Sequence, residues 1–93
     1  GNTMNKAELV QEVANQTGLT KKVSREAVDG IISAITDSLA REERVTLVGF
    51  GTFQVAKRKA RRGVNPKTRE TIQIPAKKVP KFVPGKGLRD KTK

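Results

Sequence analysis

The sequence predicts an α+β fold: a helical hairpin base, a three-stranded antiparallel sheet carrying a long β-hairpin arm, and a short C-terminal helix. Three observations predict it. Apolar residues recur at helical spacing up to Ala40. Alternation of period two takes over at Val45–Val55 and returns at Thr71–Ile74. Between those strand-like runs lies Gly63-Val64-Asn65-Pro66-Lys67-Thr68, a turn-forming cluster inside a cationic stretch.

The first helix starts after Asn5, an N-cap residue with Glu8 three places on. Leu9, Val10, Val13 and Ala14 supply its apolar face, and Gly18 stops it after about three turns. Two residues compete to cap the second helix, Thr20 and Ser24. Thr20 is preferred because Val23 falls in register with Ala27, Ile31, Ile35 and Leu39, with Val28 and Ile32 widening the stripe. Helix two then runs from about Lys21 to Ala40, joined to the first by a short turn. Gly30 inside it costs about 1 kcal/mol against Ala, and close helix packing is the expected reason.

Arg41-Glu42-Glu43-Arg44 is a charged break with no glycine to close the helix. Val45-Thr46-Leu47-Val48 reads as a strand, Gly49-Phe50-Gly51 as a tight reversal, and Thr52-Phe53-Gln54-Val55 as the next strand, continuing into the arm. Ile72 and Ile74 mark the return. Pro75, Pro80 and Pro84 fit a strand edge, a bulge or a boundary. A weak helix around Leu88 ends the chain.

With 93 residues the chain makes one small domain, whose isolated core would be marginal. Gly1-Asn2-Thr3 reads as an expression remnant ahead of Met4, leaving 4–93 as the domain: 4–56 a dimerisation scaffold, 57–76 the arm, 77–93 the closing strand and last helix. There is no cysteine to staple the fold or bind metal, and no apolar run long enough for a membrane span or signal peptide. A soluble intracellular protein is the expectation.

Charge is placed unevenly. Residues 1–56 hold six basic and seven acidic side chains, net −1, whereas 57–93 hold fourteen basic and two acidic, net +12. Seven of the thirteen residues from Lys57 to Arg69 are Lys or Arg and none is acidic. Too few apolar residues lie near the hairpin tip to pack it on a core, so the arm should project. A projecting cationic hairpin suits a polyanion, and nucleic acid fits better than a membrane because no amphipathic helical face accompanies it. Ribosomal-type RNA binding is the alternative. An enzyme is not expected: the sequence has no His or Cys, and its acids form no cluster suited to a metal, a cofactor or a small-molecule substrate.

Helix two is apolar around much of its circumference, and Phe50, Phe53 and Phe82, the sole aromatics, flank the small sheet. One protomer has too little surface to cover them. A symmetric homodimer sharing Ile32, Ile35, Leu39, Leu47, Phe50, Phe53 and Phe82 is expected; a phenylalanine cluster inside one protomer is the other reading.

Val48-Gly49-Phe50-Gly51-Thr52-Phe53, the Asn65-Pro66 tip, and Ile74-Pro75-Ala76 leading to Pro84-Gly85-Lys86 stand in one order and spacing. This pattern resembles the bacterial HU/IHF family of histone-like DNA-bending proteins, from Met4 onward. The resemblance implies an intertwined dimer whose two arms reach around double-stranded DNA in the bacterial nucleoid, with Pro66 as the intercalating wedge and Lys86 on a phosphate. It also implies a Lys6–Asp29 surface ion pair that opens when DNA flanks lie along the body.

Three positions depart from the family pattern. Val64 stands where arginine is common before Asn-Pro, Arg69 where glycine is common, and Glu42 where glycine usually follows helix two. A left-handed Glu42 would cost roughly 1–2 kcal/mol.

Arg58, Lys59, Arg61, Arg62, Asn65, Lys67 and Arg69 on the arm, with Lys78 and Lys86, are the expected DNA contacts. Arm strands of about ten residues would span roughly 33 Å. Arginine suits narrow minor grooves, and a rigid proline at the tip can enter a base step. No element offers a fixed frame for base readout. Little sequence specificity is therefore expected, with a preference for nicked, gapped or flexible DNA, as in HU more than in site-specific IHF.

Overall fold

The computed structural model describes residues 3–93. Its elements run α1 (Lys6–Thr17), α2 (Lys21–Ala40), β1 (Val45–Leu47), β2 (Gly51–Arg58), β3 (Arg61–Val64), β4 (Thr71–Ile74), β5 (Lys77–Pro84) and α3 (Lys86–Lys91). They fall into two compact units, one running to Asp37 and the other Ser38–Lys93.

Local chemistry sets the helix ends. The side-chain oxygen of Asn5 accepts from the Glu8 amide at 2.9 Å, and the Glu8 carboxylate accepts from the Asn5 amide at 3.5 Å, a capping box. At the other end Gly18 takes φ 75 and its N–H reaches the Ala14 carbonyl at 2.9 Å. Thr20 caps α2 as the register argument requires, its hydroxyl accepting from the Val23 amide at 3.1 Å. Ser24, the rejected cap, is fully buried instead, between the buried Val10 and Val28 in sequence. Gly30 departs from expectation: nothing lies within 4 Å of where a β-carbon would stand. It stands seven residues after Val23, about 20° from it around the helix, at the edge of the apolar stripe, and no packing within the chain accounts for it.

The end of α2 explains the missing glycine. Glu43 N–H bonds the Ser38 carbonyl at 2.8 Å and Glu42 N–H the Leu39 carbonyl at 2.9 Å. This is the Schellman closure, which requires a left-handed residue. Glu42 takes that place at φ 61, at a cost of roughly 1–2 kcal/mol relative to glycine.

The body sheet has order β1-β2-β5, antiparallel throughout. The reversal lies one residue earlier than the glycine spacing predicts. Phe50 N–H bonds the Leu47 carbonyl at 2.9 Å with Gly49 at φ 85, a turn over Val48 and Gly49. Pro80 and Pro84 fall in β5, an edge strand, where the absent donor breaks no ladder. Phe53 pairs directly with Phe82, their rings 4.7 Å apart, and Phe50 joins at 5.4 Å. The three rings thus form a cluster within one chain. They do not close a core: Phe50 is 44% and Phe82 36% exposed, as is Ile32 at 49% and Leu47 at 41%. Phe53, Ile35 and Leu39 are half-buried.

β3 and β4 form a separate two-stranded ribbon. The arm strands are therefore not the unbroken ten-residue runs expected. Lys57 and Arg58 still belong to the body sheet, opposite Lys78 and Lys77. Pairing lapses at Lys59-Ala60 and Pro75-Ala76, then resumes for four residues a side. Pro75 has no N–H to donate, so the ladder cannot pass through it intact.

Candidate nucleic-acid interface

The ribbon's register places its charges. Arg61 faces Ile74, Arg62 faces Gln73, Gly63 faces Ile72 and Val64 faces Thr71. Because successive side chains alternate faces, Arg61 and Arg62 project to opposite sides. On the Arg61 side, a β-carbon at Gly63 would come within 2.9 Å of Cδ1 of Ile74. Ile74 therefore packs over Gly63 on this face, while Arg61 and Ile72 beside it stay exposed.

The tip is a compact, self-bonded turn. Asn65 N–H bonds the Glu70 carbonyl at 2.9 Å and Arg69 N–H returns to the Asn65 carbonyl at 2.7 Å. The Asn65 side chain accepts from the Lys67 amide at 2.9 Å, an Asx turn enclosing Pro66. Arg69 takes φ 60, the conformation glycine favours. Pro66, Lys67 and Arg69 are exposed there, and Asn65 is half-buried.

At the arm root a cleft of about 470 Å³ is lined by Arg58, Lys59, Arg61 and Lys77 beside Ile74 and Pro75. Four of its six lining residues are cationic, so the opening carries a positive field that favours an anion. The backbone break at Lys59-Ala60 thus gathers cations from β2, β3 and β5 around one opening.

Lys78 is differently placed. Its ammonium lies 2.8 Å from Oε1 of Glu42, and that of Lys57 lies 3.5 Å from the same oxygen. The hydrogen bond from Lys78, then the charge of Lys57, holds the Glu42 carboxyl below its ordinary range. The distance in sequence between Glu42 and Lys78 hides this cluster from any local pattern; the missing glycine at Glu42 was the one available clue. Lys86 opens α3, exposed, behind Gly85, whose N–H bonds the Phe50 carbonyl at 2.8 Å.

In the helical unit Lys6 and Asp29 form an ion pair. Lys6 also lines a cleft of about 360 Å³ with Lys21 and Arg25 over Ala7 and Val10, a basic surface that the near-neutral charge of residues 1–56 had concealed. Among the described residues no group of three His, Cys, Asp or Glu is placed to hold a metal, and no helix is long and apolar enough to cross a membrane.

Residues 4–93 match the family model described as bacterial DNA-binding protein. The DNA-binding protein HU of Geobacillus stearothermophilus is 50% identical over 90 residues, 97% of this chain and 100% of that protein. That of Thermus thermophilus is 52% identical over 91 residues, 98% of this chain and 94% of its own. Among solved structures, an Anabaena HU–DNA cocrystal matches with a TM-score of 0.86 at 45% identity, covering 96% of this chain and 97% of that one.

Proposed function

This chain belongs to the bacterial DNA-binding protein (HU/IHF) family, and we propose that it is an HU-like architectural protein that bends duplex DNA through the minor groove. It acts as a homodimer, with two arms on one duplex and Pro66 of each arm as the wedge. It has little sequence preference, favours nicked or gapped sites, and serves to compact the nucleoid.

The observation that carries this reading is the position of Pro66. It stands exposed within an Asx turn that fixes its orientation, at the end of a ribbon bearing Arg61 and Arg62 on opposite faces. A donor-free, rigid ring at such a point can enter a base step without leaving a polar group unsatisfied. For minor-groove architectural proteins, a class in which HU and IHF are themselves type cases, such wedges kink DNA by about 20–90°. The dimer is supported by the apolar area one chain leaves open at Ile31, Ile32, Leu47, Phe50 and Phe82. Anabaena HU, crystallised with DNA, supports the choice of partner.

Energy transfer between dyes on the ends of a nicked duplex tests the wedge. Pro66→Ala should keep most of the affinity at low salt and lose bending. A bend unchanged in the variant, or structured RNA outcompeting the duplex at fixed salt, overturns the reading.

A further inference from the structure

We propose that Glu42 is an internal competitor for DNA phosphate: its carboxylate occupies Lys57 and Lys78 at the root of the arm and shortens the cationic footprint that the protein can offer a duplex. The inference rests on the arm being the DNA-binding element.

Three observations converge on it. Lys57 and Lys78 are direct cross-strand partners, the arrangement in which like charges repel and in which two adjacent cations would otherwise present a paired phosphate site. Oε1 of Glu42 lies 3.5 Å and 2.8 Å from their ammonium groups, where a phosphate oxygen would sit. Glu42 also occupies a left-handed backbone position at φ 61, which disfavours any side chain; an outlier of this kind points to a task for the side chain. Both lysine side chains are largely exposed, so an incoming anion can approach them. The carboxylate is tethered within reach of both cations, and that tether gives it an effective concentration no free anion matches. If the lysines do turn to DNA, the carboxylate remains beside the phosphates and repels them. Either way the root yields less counterion release than its two lysines would alone.

The alternative is that Glu42 merely relieves repulsion between the lysines and has no bearing on DNA. The two are separated by titrating a nicked 20-base-pair duplex with the full chain by fluorescence anisotropy at several NaCl concentrations. Each phosphate neutralised adds about 0.9 to the slope of log affinity on log salt. Glu42→Gln should bind tighter than the parent at 50 mM salt and steepen the slope by about 0.9–1.8. Its affinity should then fall by a further ~3- to 12-fold between 50 and 200 mM. Glu42→Gly, which removes the same charge while easing the backbone, should do likewise. In a Lys57→Gln/Lys78→Gln background the effect should vanish. A slope increase below about 0.5, or one that persists without the two lysines, overturns the inference. A parent that fails to bind the duplex at 50 mM salt overturns the assignment of the arm as well.

Discussion

The ring of Phe82 lies over the α-carbon of Gly51: a β-carbon there would stand 2.5 Å from Cζ of Phe82 and 2.7 Å from the Val83 carbonyl oxygen. Gly51 is buried, and its lack of a side chain lets Phe82 settle between Phe50 and Phe53. Gly51→Ala must push the ring aside and strain β5. Overpacking of this sort costs about 1–3 kcal/mol, and the lost ring pairing adds to it. A destabilisation of roughly 2–4 kcal/mol is expected in urea unfolding at fixed protein concentration, with the helical signal retained by circular dichroism.

Gly30→Ala should move stability the other way. Open space surrounds the missing β-carbon, and Ala is favoured over Gly in a helix interior by about 1 kcal/mol. A rise in the urea midpoint of that size is the expected outcome; a fall would mean that a second copy approaches α2 at this point.

Much of this molecule could be read from local sequence because local rules decide it. Asn5, Thr20 and Gly18 set helix ends through bonds spanning a few residues, and Pro80 announces an edge strand by what it cannot donate. The arm tip was legible for the same reason, Asn65 bonding two residues ahead. What escaped depends on strand pairing. The sheet holds Arg58 opposite Lys77 despite the like charges, so the body reaches further into the basic stretch than its composition suggests. The Glu42 cluster needs β2 and β5 in register before Lys57 and Lys78 can share one oxygen. Gly51 looked like part of the reversal; its burial under Phe82 is a consequence of β5 lying alongside.

Glu42 also makes stability depend on pH. Its folded carboxyl lies below the ordinary value of 4.5, through the Lys78 hydrogen bond and then Lys57. A carboxyl lowered on folding contributes stability that is present above its unfolded value and lost as pH falls through the folded one. The difference in melting temperature between the parent and Glu42→Gln should therefore be constant from pH 7 to about 5 and shrink below 4.5. Glu43, held low by Arg41, titrates in both proteins and cancels in the comparison.

Asn5→Ala should cost about 1 kcal/mol, the ordinary price of an N-cap. Its side chain carries the shorter half of the capping box, 2.9 Å against 3.5 Å for the Glu8 return. Glu8→Ala should consequently cost less than Asn5→Ala. Equal losses in urea unfolding would place the weight of the cap on Glu8.

The arm's cations should act on salt dependence and hardly on stability. Arg58, Lys59 and Arg61 line the root cleft, are exposed, and figure in none of the ion pairs found among the described residues. Their removal therefore leaves no buried charge unmatched. Each phosphate contact contributes about 0.9 to the slope of log affinity on log salt, so Arg58→Gln with Arg61→Gln should lower that slope by about 1.8. The loss should be the same for duplexes of unrelated sequence, because a phosphate contact carries no sequence information. Thermal melting of the double variant should stay within about 0.5 kcal/mol of the parent, as is usual for surface substitutions. Filter binding on two unrelated nicked duplexes checks both points. A slope that drops for one sequence only would place these arginines on base edges, and an unchanged slope would remove the root cleft from the interface.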